Sequence, residues 1–379
     1  MKHVPFNKLF IDNKEKYYLN EVIKNKNLTD GIFQNKCEKF IKKITKSKEV
    51  FLTQSCTSAL EIISLLIGLK KGDEVIMPSF TFTSTANAIV LRGAKPIFVD
   101  INNHDLNISS KLVEKKITKK TKAIILVHYS GLACEMQEYL RLKKKYNIFL
   151  IEDAAHGFLG LYKNKYLGTI GDFGAFSFHE TKNIIGGQCG ALLINNAKYI
   201  SRTKIILDKG TNRSAIQKSN FTKASYYSWK GVGSEFRSQE LSSSLLFSQL
   251  QKSKTIQEKR KKIFLFYYNF ISKIKSNSFF ILKNSTQDSQ GTSHIFPIIF
   301  IKKSLKEKFI KYMQKNKISC YTHYFPLHMS TYGRKFGRIN LPVTEKIFDG
   351  LVRLPLYPSL SNKELFYIKK KIEFFLSSI

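Results

Sequence analysis

Short apolar segments alternate with helix-like segments from residue 50 to residue 152 of this chain. The apolar segments suit buried strands, and the segments between them carry apolar residues at helical spacing. The apolar segments are Val50–Thr53, Glu74–Met77, Pro96–Val99, Ala123–His128 and Ile148–Glu152. This alternation predicts an α/β fold in which a mostly parallel sheet is covered by helices on both faces.

The length of 379 residues allows one large domain and a smaller one, each with its own core. We expect an N-terminal arm over residues 1–48 and a large domain over residues 49–238. Residues 239–379 are expected to contain a long helical region, from Gln239 to Ile274, followed by a smaller C-terminal α/β domain.

Small, aromatic and charged residues follow the apolar segments where each predicted strand ends. Because ligands bind beyond the carboxyl ends of strands in such a sheet, these residues are candidates for a shared site. They are Cys56, Thr57, Phe82, Asp153, His156, Ser177 and Lys182. Each has a commoner role when taken singly: a helix cap, a core phenylalanine, an ion pair with one of many lysines, or an interior histidine. Together they offer an anion-binding site, an aromatic ring for stacking, a carboxylate and an amine.

Lys182 is the candidate for covalent chemistry. It follows the strand-like segment Ala175–Phe178 and precedes a turn that contains Gly186, Gly187 and Gly190. Burial lowers the pKa of a lysine amine because the charged form loses its hydration, so a free amine could attack an aldehyde near neutral pH. A surface lysine at a strand end is the alternative. With the other strand-end residues, Lys182 completes the set that pyridoxal 5'-phosphate (PLP) requires.

The composition excludes several classes of protein. No apolar run approaches the roughly 20 residues of a membrane helix, and the N-terminus has no signal-peptide core, so we expect a cytoplasmic protein without a membrane partner. Five scattered cysteines without a CxxC pair argue against a disulfide framework and a zinc site. The net charge of +35 is spread in short lysine groups along the whole chain, which favours solvated faces over a nucleic-acid partner.

The segments at these strand ends resemble one family along nearly the whole chain. They are SCTSAL (55–60), PSFTFTSTANA (78–88), EDAAH (152–156), SFHETKN (177–183) and HYFPLH (323–328). This set resembles the fold-type I, PLP-dependent nucleotide-sugar aminotransferases. Within that family it looks most like the dTDP-4-amino-4,6-dideoxygalactose transaminases. Those enzymes aminate dTDP-4-keto-6-deoxyglucose with L-glutamate as donor, for amino sugars of cell-surface polysaccharides.

The resemblance implies a role for each candidate in the cofactor site. Lys182 would hold the cofactor aldehyde and later carry a proton between cofactor and sugar carbons, while Asp153 would keep the pyridine nitrogen protonated. The remaining implied roles are phosphate binding by the Cys56 and Thr57 amides and the Ser177 hydroxyl, ring stacking by Phe82, and contact with the phenolic oxygen by His156.

The resemblance also implies a substrate site and an assembly. His323 and His328 would line the sugar pocket, with an interior structural role as the even alternative for both. The segment from Lys209 to Arg213 would reach the nucleotide phosphates. The family is dimeric with shared active sites, so a homodimer is expected.

Three residues depart from the family pattern. Gln188 and Cys189 stand where relatives usually have Glu and Gly, and cysteine would be strained if that position needs a positive φ. Glu235 stands near the place where relatives have an asparagine that reaches the cofactor phosphate of the partner subunit, with Ser234 as a substitute. These departures leave open a PLP-binding homologue that has lost activity. Amination at the sugar's C3 position is a further alternative.

Overall fold

The computed structural model describes residues 2–29, 31–213, 226–282 and 288–378. Besides short 3-10 turns, its helices are α1 (Asn13–Lys24), α2 (Ile32–Thr45), α3 (Cys56–Leu66), α4 (Thr83–Val90), α5 (Ser110–Glu114), α6 (Met136–Tyr146), α7 (Ile200–Leu207), α8 (Glu240–Gln251), α9 (Ser253–Ile271), α10 (Lys303–Lys315), α11 (Pro342–Gly350) and α12 (Asn362–Leu376). Its strands are β1 (Glu49–Thr53), β2 (Glu74–Pro78), β3 (Lys95–Val99), β4 (Thr121–Val127), β5 (Phe149–Asp153), β6 (Leu161–Tyr162), β7 (Lys165–Tyr166), β8 (Phe173–Ser177), β9 (Gly190–Ile194), β10 (Phe279–Ile281), β11 (Ser289–Gln290), β12 (Phe296–Phe300) and β13 (Leu351–Leu354).

The large sheet has seven strands in the order β1-β9-β8-β5-β4-β2-β3. The pairs from β8 through β5, β4 and β2 to β3 are parallel, whereas β9 runs antiparallel to both of its neighbours. Apolar side chains cover both faces of the sheet, so its strands are buried on each side. The prediction of a mostly parallel sheet between helices is therefore confirmed.

The C-terminal part has its own sheet and core. Strands β10, β12 and β13 form a three-stranded antiparallel sheet. The helices α9, α10 and α12 pack against this sheet with large apolar residues such as Phe309 and Ile368. A second core of this size agrees with a smaller α/β unit in the last third of the chain.

The helical region predicted from Gln239 to Ile274 is two helices rather than one. Helix α8 ends at Gln251 and α9 begins at Ser253, with Lys252 in a non-helical conformation between them. The Lys252 amine binds the carboxylates of Asp12 and Glu15 at the start of α1. At the break, a lysine thus contacts the capped N-terminus of another helix, where acidic side chains are favoured.

The first 48 residues pack against both parts of the chain. Helices α1 and α2 pack on α8, and the Glu240 carboxylate accepts hydrogen bonds from the first backbone amides of α2, at Phe33 and Gln34. Val4 pairs with Ile318 beside the small sheet and is fully buried. The domain limits at residues 48 and 238 stay predictions. In the described ranges, no helix is long and apolar enough to cross a membrane.

Candidate active site

Three parallel strands end side by side at one edge of the large sheet. Val127 at the end of β4 pairs with Asp153 at the end of β5, and Asp153 pairs with Ala175 of β8. Parallel register therefore places Asp153 near Ser177, although 24 residues separate them in the sequence. The chemistry-bearing residues meet here for the reason that the sequence suggested, because each follows a strand of the same sheet.

A cavity of about 670 Å³ opens at this edge. It contains all seven residues that were predicted to bind a cofactor, together with His323 from the predicted substrate pocket. Its lining includes Cys56, Thr57, Phe82, Asp153, His156, Ser177, Lys182 and His323. Phe82 keeps 60% of its surface accessible, so it faces this space and is not a core residue.

Lys182 reaches the cavity from the loop between β8 and β9. Its backbone N–H donates to the His179 carbonyl at 2.8 Å, which fixes a tight turn directly after the strand. Burial among protein atoms lowers the pKa of the Lys182 amine to about 8, against the opposing effect of Cys56 and Asp153. The amine is thus available in its uncharged, nucleophilic form near neutral pH.

Asp153 is held in place by two hydrogen bonds. The Thr85 hydroxyl donates to Oδ2 at 2.8 Å and the Ala155 backbone N–H donates to Oδ1 at 3.1 Å. Burial nevertheless raises the pKa of this carboxyl. A cationic group bound beside Asp153 would favour its ionised form, so the site is suited to a protonated ring nitrogen.

Glu152 precedes Asp153 on β5 and points to the opposite face of the sheet. Its carboxylate accepts from the backbone amides of Gly168, Ile170 and Gly171 at 2.6 to 2.8 Å, and it lies 2.9 Å from Nε2 of His128. Because Nδ1 of His128 accepts from the Cys134 amide, Nε2 carries the proton and donates to Glu152. This buried network holds the end of β5 from the face of the sheet opposite Asp153.

Hydroxyl groups and a helix N-terminus gather at one end of the cavity. Ser55 caps α3 by accepting from the Ser58 amide at 3.1 Å, and the Thr57 hydroxyl donates to Ser84 at 2.7 Å. A Cβ at Gly190 would collide with the backbone at Ser55, so only glycine lets β9 approach the start of α3 this closely. Free amides, hydroxyls and the helix dipole together suit a phosphate.

Aromatic and imidazole rings form the opposite wall. His323 stacks on Tyr324 with ring centroids 4.1 Å apart, and the Tyr324 hydroxyl lies 3.3 Å from Nε2 of His156. Burial lowers the pKa of both His156 and His323, so both rings are neutral. Nδ1 of His156 is buried without a hydrogen-bond partner among the described residues, which makes it a candidate to bind a ligand.

Two predicted substrate residues do not lie in this cavity. His328 is buried, with Nδ1 at 2.7 Å from the Ser79 hydroxyl and Nε2 at 3.1 Å from Glu345. It therefore joins the end of β2 to α11 as a structural histidine. Arg213 lines a separate cavity of about 1000 Å³, which also contains Lys209 and Glu235.

The three departures from the family pattern fit the structure without strain. The positive φ in this loop belongs to Gly187, while Cys189 has no positive φ and packs its sulfur 3.4 Å from the Ser238 hydroxyl. The condition for a backbone cost at Cys189, a positive φ, is therefore not met. Gln188 lines the cavity. Glu235 forms an ion pair with Lys209, which offsets its negative charge.

Sequence reasoning assigned no role to Thr85, Tyr324 or Arg353. Thr85 and Tyr324 lie inside segments that carried the resemblance, so their position was a usable signal. Arg353 stands in the apolar strand β13, and an arginine in a buried strand is itself a sign of function, because buried charges are rare.

The residues present fit PLP as a resident cofactor. The cavity combines a lysine amine, a buried carboxylate, a phosphate-binding end and the exposed ring of Phe82. These groups match the aldehyde, the ring nitrogen, the phosphate and the face of the pyridine ring in turn.

Comparison with known proteins agrees with this geometry. Residues 10–373 match the DegT/DnrJ/EryC1/StrS aminotransferase family. The chain is 30% identical to GDP-perosamine synthase of Escherichia coli O157:H7, with 100% of both chains covered. It is 29% identical to UDP-4-amino-4,6-dideoxy-N-acetyl-beta-L-altrosamine transaminase of Campylobacter jejuni, covering 95% of this chain and 94% of that protein. Helicobacter pylori PseC, an aminotransferase involved in the biosynthesis of pseudoaminic acid, superposes with a TM-score of 0.91 at 25% identity over 100% of both chains. The chain therefore belongs to the DegT/DnrJ/EryC1/StrS family of PLP-dependent sugar aminotransferases.

Proposed function

We propose that this enzyme converts dTDP-4-keto-6-deoxy-D-glucose to dTDP-4-amino-4,6-dideoxy-D-galactose with L-glutamate as amino donor. The observation that carries the proposal is the shared cavity of Lys182 and Asp153, which has a phosphate-binding end and an aromatic wall. The choice of a dTDP-linked 4-ketosugar rests on the resemblance of segments such as SFHETKN. Names that contain 4-amino-4,6-dideoxy sugars among the relatives support amination at C4.

The chemistry divides between the cofactor and the chain. When bound, PLP supplies an aldehyde that carries the amino group and a ring that accepts electrons from the substrate carbon. Lys182 would hold that aldehyde, and its Nζ, once free, would carry a proton between the cofactor carbon and the carbon of the donor or the sugar. Asp153 would keep the ring nitrogen protonated through its buried carboxylate. The hydroxyl-lined end would hold the phosphate.

A second candidate substrate has a specific observation in its favour. GDP-perosamine synthase matches the chain over its full length, which supports a GDP-linked ketosugar as the acceptor. Amination at C3 and a homologue without activity remain as further alternatives. Cys189 has no positive φ in the loop that it shares with Gln188, and this absence of backbone strain favours an active enzyme.

Product analysis tests the proposal. The holoenzyme is incubated with glutamate and, separately, with dTDP-, GDP- and UDP-linked 4-keto-6-deoxyhexoses, and each product is identified by NMR. We expect the dTDP-linked 4-amino galacto product to form fastest. A faster reaction of the GDP-linked sugar, or an amine at C3, would replace the proposed substrate. The absence of any product with glutamate would favour the inactive homologue.

The role of Lys182 is tested by substitution. Lys182→Ala should abolish both the visible absorbance of the lysine-bound cofactor and turnover. The matched control is Lys111→Ala, which changes an exposed lysine on α5. Turnover that survives in Lys182→Ala at the control's level would remove this amine from the mechanism.

A homodimer forms part of the proposal. Tyr226, Trp229 and Val232 expose 87%, 78% and 63% of their surfaces, and exposed apolar groups of this kind mark interaction sites. Sedimentation velocity should give twice the chain mass of 43.7 kDa. A monomer at micromolar concentration would contradict the shared active site.

A further inference from the structure

Three buried residues between β11 and β12 contact both the lysine and the histidine side of the active site. They are Thr292, Ser293 and His294, and we call them the clamp segment. Ser293 has a φ of 50°, in the left-handed region that non-glycine residues rarely adopt. Such a conformation persists where the surrounding contacts over-determine it, and it is common at functional sites. The contacts of the clamp segment therefore indicate what it does.

The clamp segment binds Asn183, the residue directly after Lys182. The Thr292 carbonyl accepts from Nδ2 of Asn183 at 2.9 Å, and Nδ1 of His294 lies 2.7 Å from Oδ1 of the same side chain. Because Nδ2 is used as a donor, Oδ1 is the acceptor, so Nδ1 of His294 carries the proton and donates it. Burial lowers the pKa of His294, which keeps the ring neutral. Both hydrogen bonds thus end on the residue next to the reactive amine.

The same segment holds His156. The Thr292 hydroxyl donates to the His156 carbonyl at 2.7 Å, and the ring centroids of His294 and His156 lie 4.3 Å apart. A Cβ at Gly131 would collide with both the Thr292 hydroxyl and the His156 carbonyl, so only glycine leaves room for this hydrogen bond. One short segment therefore contacts both the turn that carries Lys182 and the backbone and ring of His156.

Helix α9 anchors the clamp segment from the other side. Gln257 donates to the Thr292 carbonyl at 2.6 Å. The buried Arg260 guanidinium donates to the carbonyls of Ser293 and His294. Burying a guanidinium is costly unless it is hydrogen-bonded, so these bonds offset part of that cost. They also hold the backbone at Ser293 in its left-handed conformation.

We propose that His294 is a positioning residue, which acts through Asn183 to hold the turn that places the Lys182 amine. This inference rests on the proposed function, because it assumes that Lys182 is the reactive amine. The amine must lie within bonding distance of cofactor and substrate carbons in turn, and a displacement of about 1 Å can cost roughly 100-fold in rate. The Lys182 N–H bonds within its own turn, to the His179 carbonyl, whereas Asn183 ties that turn to the clamp segment.

Direct contact with a ligand is the other role that the position of His294 allows. His294 lines a smaller cavity of about 270 Å³ beside Lys182, together with Arg353. Loss of a contact made equally to bound substrate and transition state raises the half-saturating substrate concentration and leaves the maximal rate unchanged. Loss of a positioning contact lowers the maximal rate and leaves the half-saturating concentration unchanged. The two roles therefore have opposite kinetic signatures.

The test compares two substitutions that place an amide differently. The amide of asparagine can replace Nδ1 of a histidine, whereas that of glutamine replaces Nε2. The reaction of the holoenzyme with glutamate is followed as the loss of the visible absorbance of the lysine-bound cofactor. His294→Gln should lower its maximal rate roughly 10- to 100-fold at an unchanged half-saturating concentration, and His294→Asn should stay within about fivefold of wild type. The matched control, His104→Gln, changes an exposed histidine and should alter neither quantity.

Substitution of the acceptor tests whether the bond to Asn183 carries the effect. Asn183→Ala removes that acceptor, while Gln257 still donates to the Thr292 carbonyl. The maximal rate should fall at least as far as in His294→Gln, and the double variant should fall no further, because both changes remove one bond. Should His294→Gln not fold, Asn183→Ala measures the same bond from its other end. Additive losses, equal losses in the two His294 variants, or a change confined to the half-saturating concentration would overturn the inference.

Hydrogen exchange of the apoenzyme separates the inference from the proposed function. Amide exchange in a peptide covering residues 177–183 should be roughly fivefold faster in His294→Gln than in wild type, and His294→Asn should match wild type. Exchange in β1, residues 49–53, reports global loosening and should stay unchanged. Wild-type exchange near Lys182 in His294→Gln would refute the positioning role. Failure of every nucleotide sugar as acceptor would refute the proposed function and leave this exchange measurable.

Discussion

The lowered pKa of Lys182 predicts how the apoenzyme captures its cofactor as the pH changes. Burial brings this pKa from 10.5 to about 8. At pH 7 the uncharged fraction then rises from about 0.03% to about 10%, a gain of roughly 300-fold in reactive amine. Only the uncharged amine attacks an aldehyde. The rate of cofactor capture should therefore rise about tenfold per pH unit below pH 8 and level off above it.

Stopped-flow absorbance of apoenzyme mixed with PLP measures this rate between pH 6 and 10. Nα-acetyl-lysine is the matched control, and its rate should keep rising to about pH 10. Asp153→Asn should move the inflection to lower pH, because the Asp153 charge raises the pKa of Lys182. An inflection of the wild-type enzyme at or above pH 10 would refute the assignment of a buried, activated amine.

Three further substitutions test the groups around the site. Thr85→Val removes the hydroxyl that donates to Asp153 and should weaken PLP binding about fivefold, a loss of about 1 kcal/mol, in an equilibrium titration. An unchanged Kd would show that this hydrogen bond does not support the carboxylate. Glu152→Gln places an NH₂ group against buried backbone amides and should lower the free energy of unfolding by about 3 kcal/mol. Thermal unfolding should then show a lower midpoint. A wild-type midpoint would contradict the role of the Glu152 network in holding β5. Cys189→Gly should destabilise the protein by about 1 kcal/mol in urea unfolding, because this position needs no positive φ. A gain in stability would show that cysteine is strained at this position.

Much of the cofactor cavity was predictable because it follows from one rule of sheet geometry. Asp153 ends one strand and Lys182 follows a neighbouring parallel strand, so the shared strand direction brings both to the same edge. The amphipathic pattern of each segment is local, and a local signal is what a single sequence carries. The structure therefore brings the seven predicted cofactor residues to one cavity, while their roles stay predictions.

Long-range contacts limited the rest of the prediction. His328 lies in a motif rich in aromatic and histidine residues, yet contacts with Ser79 and Glu345 decide its role, and no local pattern reveals them. The break at Lys252 coincides with ion pairs to acidic groups at the start of α1, some 240 residues earlier in the sequence. Arg353 gave a local signal, but the cavity that it shares with Lys182 is lined by residues far apart in the sequence.

The neighbouring positions of Glu152 and Asp153 have a consequence for how this sheet can change. Alternate residues of a strand face opposite sides, so one carboxylate anchors the backbone while the next one serves the cofactor. A one-residue insertion or deletion within β5 would exchange the two faces. Asp153 would then turn away from the active site, and Glu152 would turn toward it. Length variation in this enzyme should therefore be confined to connections such as the hairpin turn at Lys163 and Asn164, and be absent from residues 149–153.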